Sequence, residues 1–237
     1  MDDEQIRGAA IEFAKRNKMR IAQELIDPAT YPSTEHPISV FMAGSPGAGK
    51  TEFSKNLISI LEEEGNRKVI RIDPDDVRSY MPGYTGSNSN LFHGAVSLIV
   101  EKMHDLALHQ RQNFVFDGTF SKYQKAAGNI DRSLSKERPV FIFYIYQRPE
   151  LAWRFTEARE AAEGRNIPKL AFIEQFLGAR ETIDRVSAEF QDRVGIFIIQ
   201  KDFERNRVEA IVKMLSNSKV DDYIAERYSE DELRKCL

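Results

Sequence analysis

Apolar residues in this chain gather in short continuous runs separated by longer amphipathic stretches. The runs are 38–43 (ISVFMA), 69–72 (VIRI), 114–116 (FVF), 140–146 (VFIFYIY) and 196–199 (IFII). Runs of this length and density mark strands covered on both faces of a sheet. Between them, apolar positions recur three and four residues apart and predict helices over 2–26, 51–64, 91–110, 121–135, 149–162 and 169–190. In the first of these, Ile6, Ala10, Phe13, Ile21 and Leu25 lie on or near one face. Pro28, Pro32 and Pro37 make 27–37 a connector, and 82–90 (PGYTGSNSN) reads as a mobile loop. A short helix capped by aspartate follows the second run, and helices are expected to finish the chain after the fifth.

Strands alternating with helices imply an α/β fold with a mostly parallel five-stranded sheet between two helical layers. The expected division is an N-terminal helix and connector (1–37), a core (38–203) that includes a lid segment at about 149–190, and C-terminal helices (204–237). Ligands of such sheets sit beyond the carboxyl ends of the strands. Three groups fall at such ends: the glycine-rich segment after 38–43, the aspartates after 69–72, and Asp117 after 114–116.

The segment 44–51, GSPGAGKT, fits the pattern G-x-x-x-x-G-K-[ST] in full. Gly44, Ser45, Gly47, Ala48 and Gly49 supply a loop whose backbone N–H groups can turn inward around a triphosphate at a helix N-terminus. Lys50 is expected at the β- and γ-phosphates, and the Thr51 hydroxyl on Mg²⁺. A strand before the loop and a helix after it supply the context that the motif requires, so ATP and Mg²⁺ are the expected cofactors and the fold is P-loop kinase-like. The loop holds a nucleotide without saying whether the protein is a kinase, a motor or a switch.

A kinase for a small hydroxyl substrate needs a proton acceptor beside the γ-phosphate. Asp73, Asp75 and Asp76 leave the second strand together, and three carboxylates this close repel unless a cation or hydroxyl donor stands between them. Helix capping accounts for Asp73 and Asp76 more readily than for Asp75. Asp117 stands where P-loop proteins place the acid that orients Mg²⁺ through water, with an Asx turn into Gly118 as the plainer alternative. Thr119 either bonds a phosphate or caps the next helix. Glu101, on spacing alone, is a solvated charge. Arg154, Arg159 and Arg165 lie in or just after the helix from Pro149. Arg159 and Arg165 are expected over the transferring phosphoryl group, and Arg154 at the surface. Trp153, Phe155 and Phe172 are assigned to the core, and His104 and His109 to surface or satisfied positions.

Composition narrows the partners. The net charge of −3 argues against a broad nucleic-acid-binding surface, and no apolar run is long enough to cross a bilayer. A single cysteine, Cys236, leaves no internal disulfide. The opening MDDE is unlike a signal peptide, so a cytoplasmic enzyme is the simplest expectation.

These residues resemble the zeta toxin family, P-loop kinases of bacterial toxin–antitoxin systems. The likeness runs over most of 38–203. It comprises the loop 44–51, the I-D-x-D pattern at 72–75, the D-G-T at 117–119 where the family usually shows E-G-T, the R-P-E-L at 148–151, and R-N-I-P at 165–168. The resemblance implies that Asp75 is the catalytic base and that Glu101 binds substrate. With them, Asp73, Asp117 and Thr119 make up the acceptor side, and Thr51 and Asp117 the metal side. It also implies that Arg159 and Arg165 clamp the phosphoryl group, that the acceptor is a sugar hydroxyl of UDP-N-acetylglucosamine, and that a protein antitoxin blocks the ATP site. Two other readings stand beside it: a kinase for another nucleotide, antibiotic or metabolite, and a nucleotide-dependent regulatory switch. The initial helix docks an antitoxin, imitates one, or packs on the sheet, the last being the default.

Overall fold

A computed structural model describes residues 2–65, 67–164, 166–202 and 207–237. Its centre is β1 (Ser39–Ala43), whose five residues are all buried. On one side β1 pairs in parallel with β3 (Asn113–Phe116), which pairs in parallel with β2 (Val69–Ile72). On the other it pairs in parallel with β4 (Val140–Tyr146), and β4 with β5 (Gly195–Asp202). The five expected strands are all present.

A sixth, β6 (Arg207–Lys213), runs antiparallel to β5 and completes the order β2-β3-β1-β4-β5-β6. The expectation of helices in this stretch is therefore corrected. Among the described residues there, only α8 (Glu230–Cys236), capped by Ser229 and Glu232, is an α-helix. An edge strand leaves apolar side chains in solvent (Ile211 is 59% exposed), so RVEAIVK carries no clean period-two alternation.

One face of the sheet is covered by α2 (Lys50–Gly65), which packs Phe53, Leu57, Ile58 and Leu61 against Val40, Met42, Ile145 and Ile199. The other carries the larger core, beneath α4 (His93–His109), α5 (Tyr123–Leu134) and α7 (Lys169–Phe190). The α4 residues Ala95, Val96, Ile99, Val100, Met103 and Ala107 recur at helical spacing and are all buried. The N-terminal helix α1 (Asp3–Leu25), opened by a capping box of Asp2 and Gln5, packs chiefly on α4 rather than on the sheet itself. The connector behind it is fastened by Gln112, whose Nε2 donates to Ile26 O at 3.0 Å and Tyr31 O at 2.7 Å.

At the N-terminal ends of the strands, the buried Arg138 donates to Ser39 Oγ, Ile38 O and Gln112 O and lies over the Phe114 ring. Burial lowers its pKa to about 10, which leaves it charged at neutral pH. The helix α6 (Pro149–Glu163) starts with proline and ends at Gly164 in the left-handed region, φ 70°. No helix among the described residues is long and apolar enough to cross a membrane.

Candidate active site

The chemistry-bearing groups meet at the carboxyl ends of β1, β2 and β3, around one cavity of about 1030 Å³. Its lining includes Gly47, Gly49, Lys50 and Thr51 from the loop. Asp73 and Asp75 follow β2, Asp117 and Thr119 follow β3, and Arg159 comes from α6.

The loop owes its shape to three glycines with positive φ: Gly44 at 136°, Gly47 at 69° and Gly49 at 81°. Two of them also leave no room for a side chain. A Cβ on Gly44 would lie 2.4 Å from Ile145 O, and one on Gly47 would lie 2.0 Å from Ala152 O. The loop is thus pressed against β4 and the first turn of α6. Gly44 N donates to Thr119 O at 3.1 Å, which ties the loop to the end of β3. Ser45 and Ala48 are buried within the turn. Lys50 Nζ curls back to Gly44 O (2.9 Å) and Ser45 O (2.6 Å), so the cation is held over the cradle. The strand-to-helix turn, placed at the start of α2 with Lys50 above it, fits a polyphosphate and its divalent cation.

The aspartates divide their work. Asp73 is the N-cap of α3 (Pro74–Arg78) and accepts from Asp75 N at 2.8 Å. Asp75 is partly exposed to the cavity and is bracketed by two arginines. The buried Arg78 bonds its Oδ1, and Arg159 Nη2 donates to its Oδ2 at 3.0 Å. Asp117 is buried, and its Oδ2 lies 2.9 Å from Ser54 Oγ and 3.1 Å from Arg71 Nη2. Arg71 also bonds Asp73, and Asp76 at 3.1 Å.

Thr119 Oγ1 lies 3.0 Å from Ser121 Oγ and does not cap α5, whose N-cap is Lys122. Glu101 stays outside the cavity lining, on the exposed face of α4, 3.4 Å from Lys125 Nζ. Lys125 itself lines the cavity, as does Lys122, which is paired with Glu174 of α7. Arg165 lies outside the described residues.

Three site members escaped sequence reading: Arg71, Arg78 and Ser54. Arg71 sits in an apolar strand, Arg78 reads as the basic end of a short helix, and Ser54 as an ordinary helix residue. The aromatics are placed differently from expectation in one case. Phe172 is buried and Trp153 packs on it at 5.2 Å, but Phe155 is 43% exposed and faces the cavity.

A phosphate-binding loop at the end of a central parallel strand, with strand-end acids on the adjacent β3 and on β2 beyond it, defines a P-loop kinase fold. The model of the Zeta toxin family matches residues 22–213, and the chain belongs to that family, which places it among nucleotide-dependent kinases. Among solved structures it is similar to that of the PezAT chromosomal toxin–antitoxin system of Streptococcus pneumoniae. The TM-score is 0.64, with 18% identity over 94% of this chain and 90% of that one. It is also similar to the AvrRxo1-ORF1:AvrRxo1-ORF2 complex with sulphate ions (TM-score 0.60, 16% identity, 92% and 67% of the chains). The same complex with ATP gives a TM-score of 0.59 at 15% identity, covering 93% and 69%. At these identities the likeness is one of fold. No curated protein sequence matches significantly.

Proposed function

We propose that the protein is an ATP-dependent kinase that phosphorylates a sugar hydroxyl of UDP-N-acetylglucosamine in the cytoplasm, and that a protein antitoxin restrains it. The reading is carried by one observation: Lys50, Asp75 and Arg159, from three separate elements, line the same cavity. Gly44, Ser45, Gly47, Ala48 and Gly49 wrap the triphosphate, and Lys50 exchanges its loop carbonyls for phosphate oxygens. Thr51 and Asp117 are the residues that would hold Mg²⁺, directly or through its water, and the ion would neutralise charge on the phosphates. Asp75 accepts the proton of the acceptor hydroxyl as that oxygen bonds the γ-phosphorus. The bond to the β–γ bridging oxygen breaks and ADP leaves. Arg159, with Arg165, screens the charge on the moving group from the lid segment at about 149–190. The acceptor side is built by Asp73 and Thr119, with Asp117 at its border, and Glu101, outside the cavity lining, is not part of it. The antitoxin finds support in the neighbouring structure described as a toxin–antitoxin system.

The test is incubation with ATP and UDP-N-acetylglucosamine, followed by mass spectrometry of the sugar nucleotide. The wild type should add one phosphate. Asp75→Asn should abolish transfer and leave ATP affinity within a few-fold. An unmodified sugar nucleotide with intact ATP rules out this acceptor.

A second reading, a kinase for another small hydroxyl compound, is favoured by the acidic groups themselves. Asp117 turns one oxygen to Ser54 and Arg71 where the family resemblance places a glutamate, and Glu101 points to solvent beside Lys125. A screen of metabolites for ATP-dependent mass gain separates the two acceptors.

A further inference from the structure

Arg71 is the one charged residue in an otherwise apolar strand, and its side chain is only 16% exposed. Its guanidinium serves three carboxylates. Nε and Nη2 donate to Asp117 Oδ2 at 3.3 and 3.1 Å, Nη1 donates to Asp76 Oδ2 at 3.1 Å, and Nη2 also bonds Asp73 Oδ2. Ser54 Oγ shares its proton between Thr51 O at 3.0 Å and the same Asp117 Oδ2 at 2.9 Å. Among the described residues, every hydrogen bond that reaches the Asp117 carboxylate lands on Oδ2. Asp117 nonetheless lines the cavity. Its Oδ1 is the oxygen left to face a ligand.

We propose that Arg71 is a positioning residue for the metal side of the site. With Ser54 it clamps Asp117 by Oδ2 and thereby presents Oδ1 to the hydration shell of one divalent cation carried by the nucleotide. The inference rests on the kinase reading above and deepens its metal requirement.

Two physical points support it. Carboxylates gathered at the ends of β2 and β3 repel one another, and a planar five-donor guanidinium can satisfy several of them at once, which a lysine ammonium on its flexible stem cannot do in the same geometry. Arg71 also occupies Asp73 and Asp76, so these are already neutralised by protein and are poor candidates for a second cation. No group of three or more His, Cys, Asp or Glu among the described residues is placed to hold a metal ion. A single ion held mostly by phosphate oxygens and water matches that arrangement. Ser54 adds a mechanical link, because the residue that touches Asp117 also touches the backbone of Thr51, the other metal-side residue.

The experiment titrates Mn²⁺ by electron paramagnetic resonance into the full chain saturated with a non-hydrolysable ATP analogue. Nucleotide affinity is measured separately in EDTA. The wild type should hold one Mn²⁺ per nucleotide. Arg71→Met and Arg71→Lys should weaken that ion about ten- to a hundredfold, the scale of one lost charge-assisted hydrogen bond, with nucleotide affinity in EDTA within twofold. Ser54→Ala should shift it in the same direction by less, and it carries the test if the Arg71 variants fail to fold. Folded variants that hold Mn²⁺ as tightly as the wild type would overturn the positioning role, as would two Mn²⁺ per nucleotide in the wild type. A wild type that binds no nucleotide would instead bring down the kinase reading, and the inference with it.

Discussion

Replacing Gly47 with alanine separates the two demands that the phosphate loop makes of its backbone. At φ 69° an L-residue is strained by about 1–2 kcal/mol, whatever surrounds it. At Gly47 the new Cβ would also lie 2.0 Å from Ala152 O and 2.8 Å from Thr156 Oγ1. Neither neighbour yields easily, since Ala152 O is a helix carbonyl that already accepts from Thr156 Oγ1 at 2.8 Å. Relief requires the loop and α6 to part by more than an ångström, and α6 carries Arg159. Gly83→Ala is the matched control, because Gly83 has φ 79° and open space around its Cβ position. Gly83→Ala should lose about 1–2 kcal/mol in urea denaturation, with ATP affinity within twofold. Gly47→Ala should bind ATP at least tenfold more weakly by isothermal titration calorimetry, about 1.4 kcal/mol or more. A folded Gly47→Ala protein that binds ATP as well as Gly83→Ala would show that contact between loop and α6 does not shape the nucleotide site.

Two further outcomes are expected. His104 is fully buried, with Nδ1 2.8 Å from Arg132 Nη2, and its pKa is lowered to about 3 by burial and then by the nearby Arg132, Arg138 and Lys125 charges. Above its ordinary value near 6.5 it is neutral whether folded or unfolded. Below that, only the unfolded chain takes up the proton, so stability should fall by about 1.4 kcal/mol per pH unit from pH 6.5 toward 3. His104→Gln should remove this slope between pH 6.5 and 4.5, and an unchanged slope in denaturation curves would refute the assignment. Gly178, within α7, has a Cβ position 2.6 Å from Ser121 O, on the loop that bears Thr119. Alanine there gains helix propensity of up to about 1 kcal/mol but displaces that loop. Transfer activity should therefore drop at least tenfold with little change in ATP affinity. An active, more stable Gly178→Ala enzyme would contradict this.

What could be read from the residues, and what could not, follows from how far apart the interacting groups lie. Each parallel strand is a dense apolar run, and the helix signals at Pro149 and Gly164 are local, so the core architecture was legible. The loop at 44–51 was legible because its chemistry is contiguous. β6 was not, because an edge strand tolerates an exposed Ile211 and so loses its alternation. Arg71 and Asp117 lie 46 positions apart, and Arg159 and Asp75 84 apart, so their pairing appears only when the strands are placed side by side. Asp75 stood out beside the loop motif and Arg159 in the helix from Pro149, but Arg78, which holds the other oxygen of Asp75, did not.

The helix at residues 3–25 begins well before the family match at residue 22. It lies along the back of α4, whose opposite side offers His93, Val96, Ser97 and Val100 to the cavity. Near its end, Glu24 accepts from the Tyr80 hydroxyl at 3.1 Å, two positions beyond Arg78. One exterior segment therefore braces both the wall and the floor of the reaction chamber without entering it. A ligand that pried this brace loose would slacken the chamber from behind, a route to inhibition that leaves the nucleotide mouth open.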